Sequence, residues 1–91
     1  MHLTVRGRVQ GVGFRAFVED EGLRRGLDGW VRNRRDGAVE AAASGPAEEI
    51  DSWIAVLRRG PPGSRVDGIE TKEADESAAE AEPGFSVLPT I

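Results

Sequence analysis

The residues best placed to do chemistry lie in one stretch, VRGRVQGVGFRAFV, residues 5–18. A strand-like run passes through QGVG into an apolar helical pattern, and Arg15 stands in that helix's first turn. A turn of this kind gathers backbone N–H groups around one concavity at the positive end of a helix dipole. Its glycines let the backbone approach an anion without a Cβ in the way. An arginine there adds a planar guanidinium able to grip two phosphate oxygens at once. Gln10, Gly11, Val12, Gly13, Phe14 and Arg15 are therefore a candidate anion cradle. The same residues also fit a plain turn followed by a surface arginine, with Gly7 and Gln10 serving backbone geometry rather than chemistry. GVG lacks the third spaced glycine of a dinucleotide-binding turn, and no Gly-Lys-Ser/Thr follows as in a Walker loop. Mg²⁺-dependent nucleotide chemistry thus has no support.

Composition removes several other chemistries. The chain has 91 residues, no cysteine and a single histidine, His2. Disulfides, thiolate nucleophiles and zinc–thiolate sites are excluded together. One histidine near a chain end supports neither a metal centre nor a Ser-His triad, and His2 is expected to face solvent. No apolar run approaches the ~18 residues of a membrane span. Met1-His2-Leu3 leads directly into a strand pattern without the features of a signal peptide, so the expectation is a cytoplasmic protein. Residues 1–35 carry eight Arg against four Asp/Glu, and residues 36–91 carry four Lys/Arg against twelve Asp/Glu. A basic first third in an acidic chain suits a small anion better than a long polyanion.

The elements that must position these residues can be read from periodicity. Residues 3–9 alternate as a half-buried strand, and residues 14–26 read as a helix anchored by Phe14, Phe17 and Val18. Gly22 weakens that helix, Arg25 stands where its stripe favours an apolar residue, and Gly26 supplies a left-handed exit. Residues 28–34 and 38–44 form two strands joined at Arg35-Asp36-Gly37, a strong hairpin signal. Residues 45–60 make the clearest helix. Its stripe is Ile50, Trp53, Ile54 and Leu57, with Glu48 and Glu49 at the start and Arg58 and Arg59 at the end. Residues 64–73 read as a fourth strand, 73–83 as an exposed acidic loop, and 84–89 as a short edge strand. Trp30 and Trp53 are expected in the core. The order βαββαβ predicts one α+β domain over residues 1–91, a ferredoxin-like sandwich whose antiparallel sheet carries two helices on one face.

VRGRVQGVGFR (5–15) and GWVRNRRDGAV (29–39) resemble the two signature segments of the acylphosphatase family, with Arg15 and Asn33 in the matching places and eighteen positions apart. GPPGSRVDGIE (60–70) is similar to the family's stretch after its second helix, so the likeness covers most of residues 3–70. The last twenty residues match poorly, and Arg25 stands where relatives commonly have Leu. The resemblance implies hydrolysis of the carboxyl–phosphate bond of a small acyl phosphate, with no cofactor, metal or phosphoenzyme. Arg15 and the backbone of residues 10–15 would hold the phosphate, and the amide oxygen of Asn33 would hold the attacking water. Read alone, Asn33 is only a residue beside a turn that bonds its own backbone. Carboxylate is a good leaving group, so a loose transition state needs positioning and charge stabilisation more than a general acid. Inorganic phosphate is then both product and expected inhibitor. No nucleic-acid or membrane partner is expected, and a monomer is.

The competing readings are binding modules. The RNA recognition motif shares the βαββαβ order, but its aromatics lie on sheet strands, whereas Phe14 and Phe17 fall on an apolar helix face. Hydrogenase-maturation proteins carry a similar N-terminal domain for handling carbamoyl phosphate, but they add cysteine-rich segments. A non-catalytic relative that only binds phosphate completes the set. Arg6, Arg8, Arg32, Arg34 and Arg35 could add positive potential near the loop or serve as solvated charges.

Overall fold

Period-two alternation builds the sheet. In the computed structural model, which describes residues 1–73 and 83–91, the strands are β1 (His2–Arg8), β2 (Asp28–Asn33), β3 (Val39–Ser44), β4 (Arg65–Lys72) and β5 (Phe85–Val87). The helices are α1 (Phe14–Arg24) and α2 (Ala47–Arg59). The strand order is β4-β1-β3-β2-β5. The first four strands pair antiparallel as expected, and β5 joins β2 in parallel, so the sheet is mixed. β4 lies at one edge of the sheet and β5 at the other. There Gly84 is anchored, its N–H donating to Asp28 Oδ1 at 2.7 Å and its carbonyl accepting from Gly29 N at 2.9 Å. The acidic stretch read at 73–83 falls largely outside the described residues.

Leu3 and Val5 of β1, Val31 of β2, Val39, Ala41 and Ala43 of β3, and Phe85 of β5 form one buried face. Against it pack Phe14 and Val18 of α1 and Ile50, Trp53 and Leu57 of α2. Burial of side chains such as Phe14 and Leu57 stabilises by ~1.5–3 kcal/mol each. Trp53 Nε1 donates to the Val18 carbonyl at 3.2 Å, which ties the two helices together without leaving a buried donor unpaired.

Three expectations change here, and a fourth gains a reason. Trp30 is not in the core: it alternates with Val31 and lies on the face without helices, with the Arg32 guanidinium 4.8 Å from its ring centroid. His2 is not a loose end but the first residue of β1. Its Nε2 lies 2.7 Å from Glu40 Oε2 and its ring meets Trp30 edge-on. Arg25 ends α1 rather than interrupting its stripe, donating to the Glu21 carbonyl at 3.0 Å and to Ser52 Oγ of α2 at 3.1 Å. Gly22 weakens the helix locally but admits Phe85, whose ring would stand 2.6 Å from a Cβ at that position.

Candidate active site

Topology brings the two signature segments together. β1 and β2 each pair antiparallel with β3, so they run parallel to one another and end on the same edge of the sheet. β5, parallel to β2, ends there as well. The loop leaving β1, the N-terminus of α1 and the end of β2 at Asn33 therefore share one edge.

The loop is shaped by its glycines. Gly11 and Gly13 have φ of 73° and 77°, the left-handed region that only glycine enters without strain, and a Cβ at either would meet nothing within 4 Å. Val12 between them packs against the core, and Phe14 is buried beneath the helix start. Gly13 is the N-cap of α1, and no side chain caps it. The first helical bond runs from Phe17 N to the Gly13 carbonyl. Among the described residues, the backbone N–H groups of residues 11–16 have no backbone acceptor.

The charge at this helix start is inverted relative to its dipole. α2 carries Glu48 and Glu49 in its first turn and Arg58 and Arg59 in its last, as the dipole favours. α1 has no acidic residue in its first turn and places Arg15 there instead. Among the described residues Arg15, half-buried, has no ion-paired or hydrogen-bonded partner. A cation beside free N–H groups at a positive helix end is locally unfavourable, and an arriving anion relieves both. Arg15 lines a cleft of about 280 Å³ together with Gly11, Gly13, Phe14 and Ala16.

Asn33 closes β2 opposite Val39, and its carbonyl accepts from Ile91 N at 3.2 Å. Alternation places its side chain on the helix-bearing face with Val31. Its Oδ1 is buried and, among the described residues, accepts no hydrogen bond. A buried acceptor left unpaired costs about 1–3 kcal/mol, a penalty that a donor such as water removes. Asn33 does not line the cleft that holds Arg15. The link between them is Gln10, whose Nε2 donates to the Arg34 carbonyl at 2.7 Å and to the Ala38 carbonyl at 2.9 Å. The Gln10 side chain is thus committed to bracing the cradle against the β2–β3 hairpin, which leaves only its backbone for an anion. Sequence reading missed this brace, although a glutamine opening a glycine-rich turn was its visible signal.

The hairpin itself is closed by its own hydrogen bonds. Arg34 N donates to Ala38 O at 2.9 Å, Gly37 N donates to Arg34 O at 3.1 Å, and Gly37 takes φ 95°. Asp36 accepts from Ala38 N, and that bond, with the charges of Arg34 and Arg6, holds its carboxyl below the usual range. Arg6 and Arg34 both pair with Asp36, at 3.6 and 3.3 Å, and Arg6 also pairs with Glu70 at 3.0 Å. Arg32 pairs with Glu40 at 2.7 Å on the other face of the sheet. Arg8 and Arg35 are exposed. Arg15 is the arginine that combines partial burial, a place in the cleft and an open guanidinium.

The sequence and the fold have known counterparts. The acylphosphatase family model matches residues 1–87. A protein of Bradyrhizobium diazoefficiens named acylphosphatase is 51% identical, over 100% of this chain and 95% of that one. The crystal structure of acylphosphatase from Bacillus subtilis superposes with a TM-score of 0.83 at 40% identity, over 96% of this chain and 94% of that one. Full-length HypF in its phosphate- and nucleotide-bound form matches with a TM-score of 0.83 at 27% identity, where the chain covers only 12% of that protein. The chain belongs to the acylphosphatase family of hydrolases, enzymes whose reaction is the hydrolysis of acyl phosphates. Among the described residues, no helix is long and apolar enough to cross a membrane.

Proposed function

We propose that this chain hydrolyses acyl phosphates by in-line attack of a water held by Asn33 on a phosphoryl group held by Arg15 and the backbone of residues 10–15. The observation that carries the water-holding role is the buried Asn33 Oδ1 without a donor, at the sheet edge where the open cradle begins. An amide oxygen only accepts hydrogen bonds, so it can orient a water but cannot take its proton at neutral pH. The water oxygen attacks phosphorus as the bond from phosphorus to the acyl oxygen breaks. The carboxylate departs with the bonding electrons, and the proton of the water ends on a phosphoryl oxygen. Arg15 and the free N–H groups stabilise the charge on the equatorial oxygens throughout. No step requires a metal, a histidine or a covalent intermediate.

The two roles separate in a binding experiment. Arg15→Ala should abolish turnover and weaken the binding of inorganic phosphate by calorimetry, because the anion loses its clamp. Asn33→Ala should abolish turnover while phosphate still binds, by calorimetry, close to the wild-type level. Equal loss of phosphate binding in both folded variants would refute the division of roles.

A further inference from the structure

The cleft does not end at the phosphate cradle. It continues along α1 past Ala16 to Glu19, one helical turn or about 6 Å beyond Arg15. Its other side is Val87 of β5, a large apolar residue left 44% exposed. Of the acidic run 19–21 only Glu19 lines the cleft, since Asp20 is exposed and Glu21 pairs with Arg25. Glu19 forms no ion pair among the described residues, with Arg15 or with any other cation. Once a phosphate occupies Arg15, the rest of the cleft offers one apolar wall and one uncompensated carboxylate.

We propose that Glu19 is a specificity residue that selects against acyl groups carrying a second negative charge and favours uncharged or cationic ones, with Val87 receiving their hydrocarbon part. The inference rests on the reading of the cleft as an acyl-phosphate site. Acyl phosphates of monocarboxylic acids would be accepted, and those of dicarboxylic or phosphorylated acids would be disfavoured. A substrate charge on the order of 6 Å from Glu19, at an effective dielectric of ~40–80, changes kcat/KM roughly three- to tenfold.

The test compares benzoyl phosphate with its 4-carboxy and 4-trimethylammonio derivatives, for wild type, Glu19→Gln and Glu19→Asp. In wild type, rates relative to spontaneous hydrolysis should fall in the order trimethylammonio, parent, carboxy. In Glu19→Gln the carboxy-to-parent ratio of kcat/KM should rise roughly three- to tenfold, and the trimethylammonio-to-parent ratio should fall by a similar factor. Glu19→Asp keeps the charge and should keep the wild-type order. Turnover of benzoyl phosphate with ratios that Glu19→Gln leaves unchanged would overturn the role of Glu19 while hydrolysis stands. A wild type that hydrolyses none of the three would overturn the proposed function and this inference with it.

Discussion

Gln10 offers a quantitative test of how the site is held together. Its Nε2 makes the two side-chain bonds described here between the phosphate cradle and the hairpin that carries Asn33, at 2.7 and 2.9 Å. Gln10→Ala removes both. Neither carbonyl is orphaned, because Arg34 O still accepts from Gly37 N and Ala38 O from Arg34 N. The cost is therefore the net value of two hydrogen bonds, about 1–3 kcal/mol, which lowers Tm by roughly 5–20 °C in a chain of this size. The catalytic cost is larger in proportion. A cradle free to shift by ~1 Å relative to the water-holding amide forfeits about 10²-fold in kcat. On the proposed reading phosphate contacts only the cradle, so inhibition by inorganic phosphate should change by less than about threefold. Gln10→Glu is the sharper variant: it is nearly isosteric, yet it removes the donors and turns a carboxylate toward two carbonyl oxygens. It should be at least as damaging as alanine in both stability and kcat. Steady-state kinetics with benzoyl phosphate, phosphate inhibition and urea melts read all three quantities. A Gln10→Ala protein that loses stability but keeps wild-type kcat would refute the claim that the brace sets catalytic alignment.

Two further predictions concern the frame. Gly22→Ala usually stabilises a helix interior by about 0.5–1 kcal/mol, but here the new Cβ meets the Phe85 ring, and overpacking of about 1–3 kcal/mol should outweigh that gain. Its urea midpoint should fall, and a rise would mean that Phe85 yields without cost. On the face without helices, burial alone would raise the Glu40 carboxyl, but hydrogen bonds from Arg32 and His2 outweigh it and hold the group below the usual range. A carboxyl whose folded value is lowered contributes stability above its unfolded value and loses it as pH falls through the folded one. Glu40→Gln should therefore cost about 1.5–3 kcal/mol near neutral pH and flatten the fall in stability below pH ~4.5. An acid limb with wild-type slope in chemical denaturation would show that Glu40 does not carry it.

The sheet and both helices were legible because period and punctuation agreed: alternating apolar residues in 3–9, the Ile50-Trp53-Leu57 stripe, and Asp36-Gly37 between two strands. The turn and its arginine at the helix start were legible for the same local reason, since both are contiguous in sequence. What was hidden depends on contacts between distant segments. Trp30 has the composition of a core residue, and only the register of β2 assigns it to the opposite face. His2 gains its place from Glu40, thirty-eight residues away. Gln10 meets Arg34 and Ala38 only because β1 and β2 end at one edge, and Gly22 makes sense only once Phe85 lies beside it. The proposed role of Asn33 comes from the resemblance alone. Its own neighbourhood, a strand end beside a turn, equally fits an asparagine that bonds its own backbone.

The most direct measurement is hydrolysis of benzoyl phosphate, followed by loss of its ultraviolet absorbance with EDTA present, for wild type and Asn33→Ala side by side. The proposed mechanism requires rapid wild-type turnover that EDTA does not touch, and a folded Asn33→Ala protein in which that turnover is lost. Wild-type turnover abolished by EDTA, or an Asn33→Ala enzyme as fast as wild type, would contradict it.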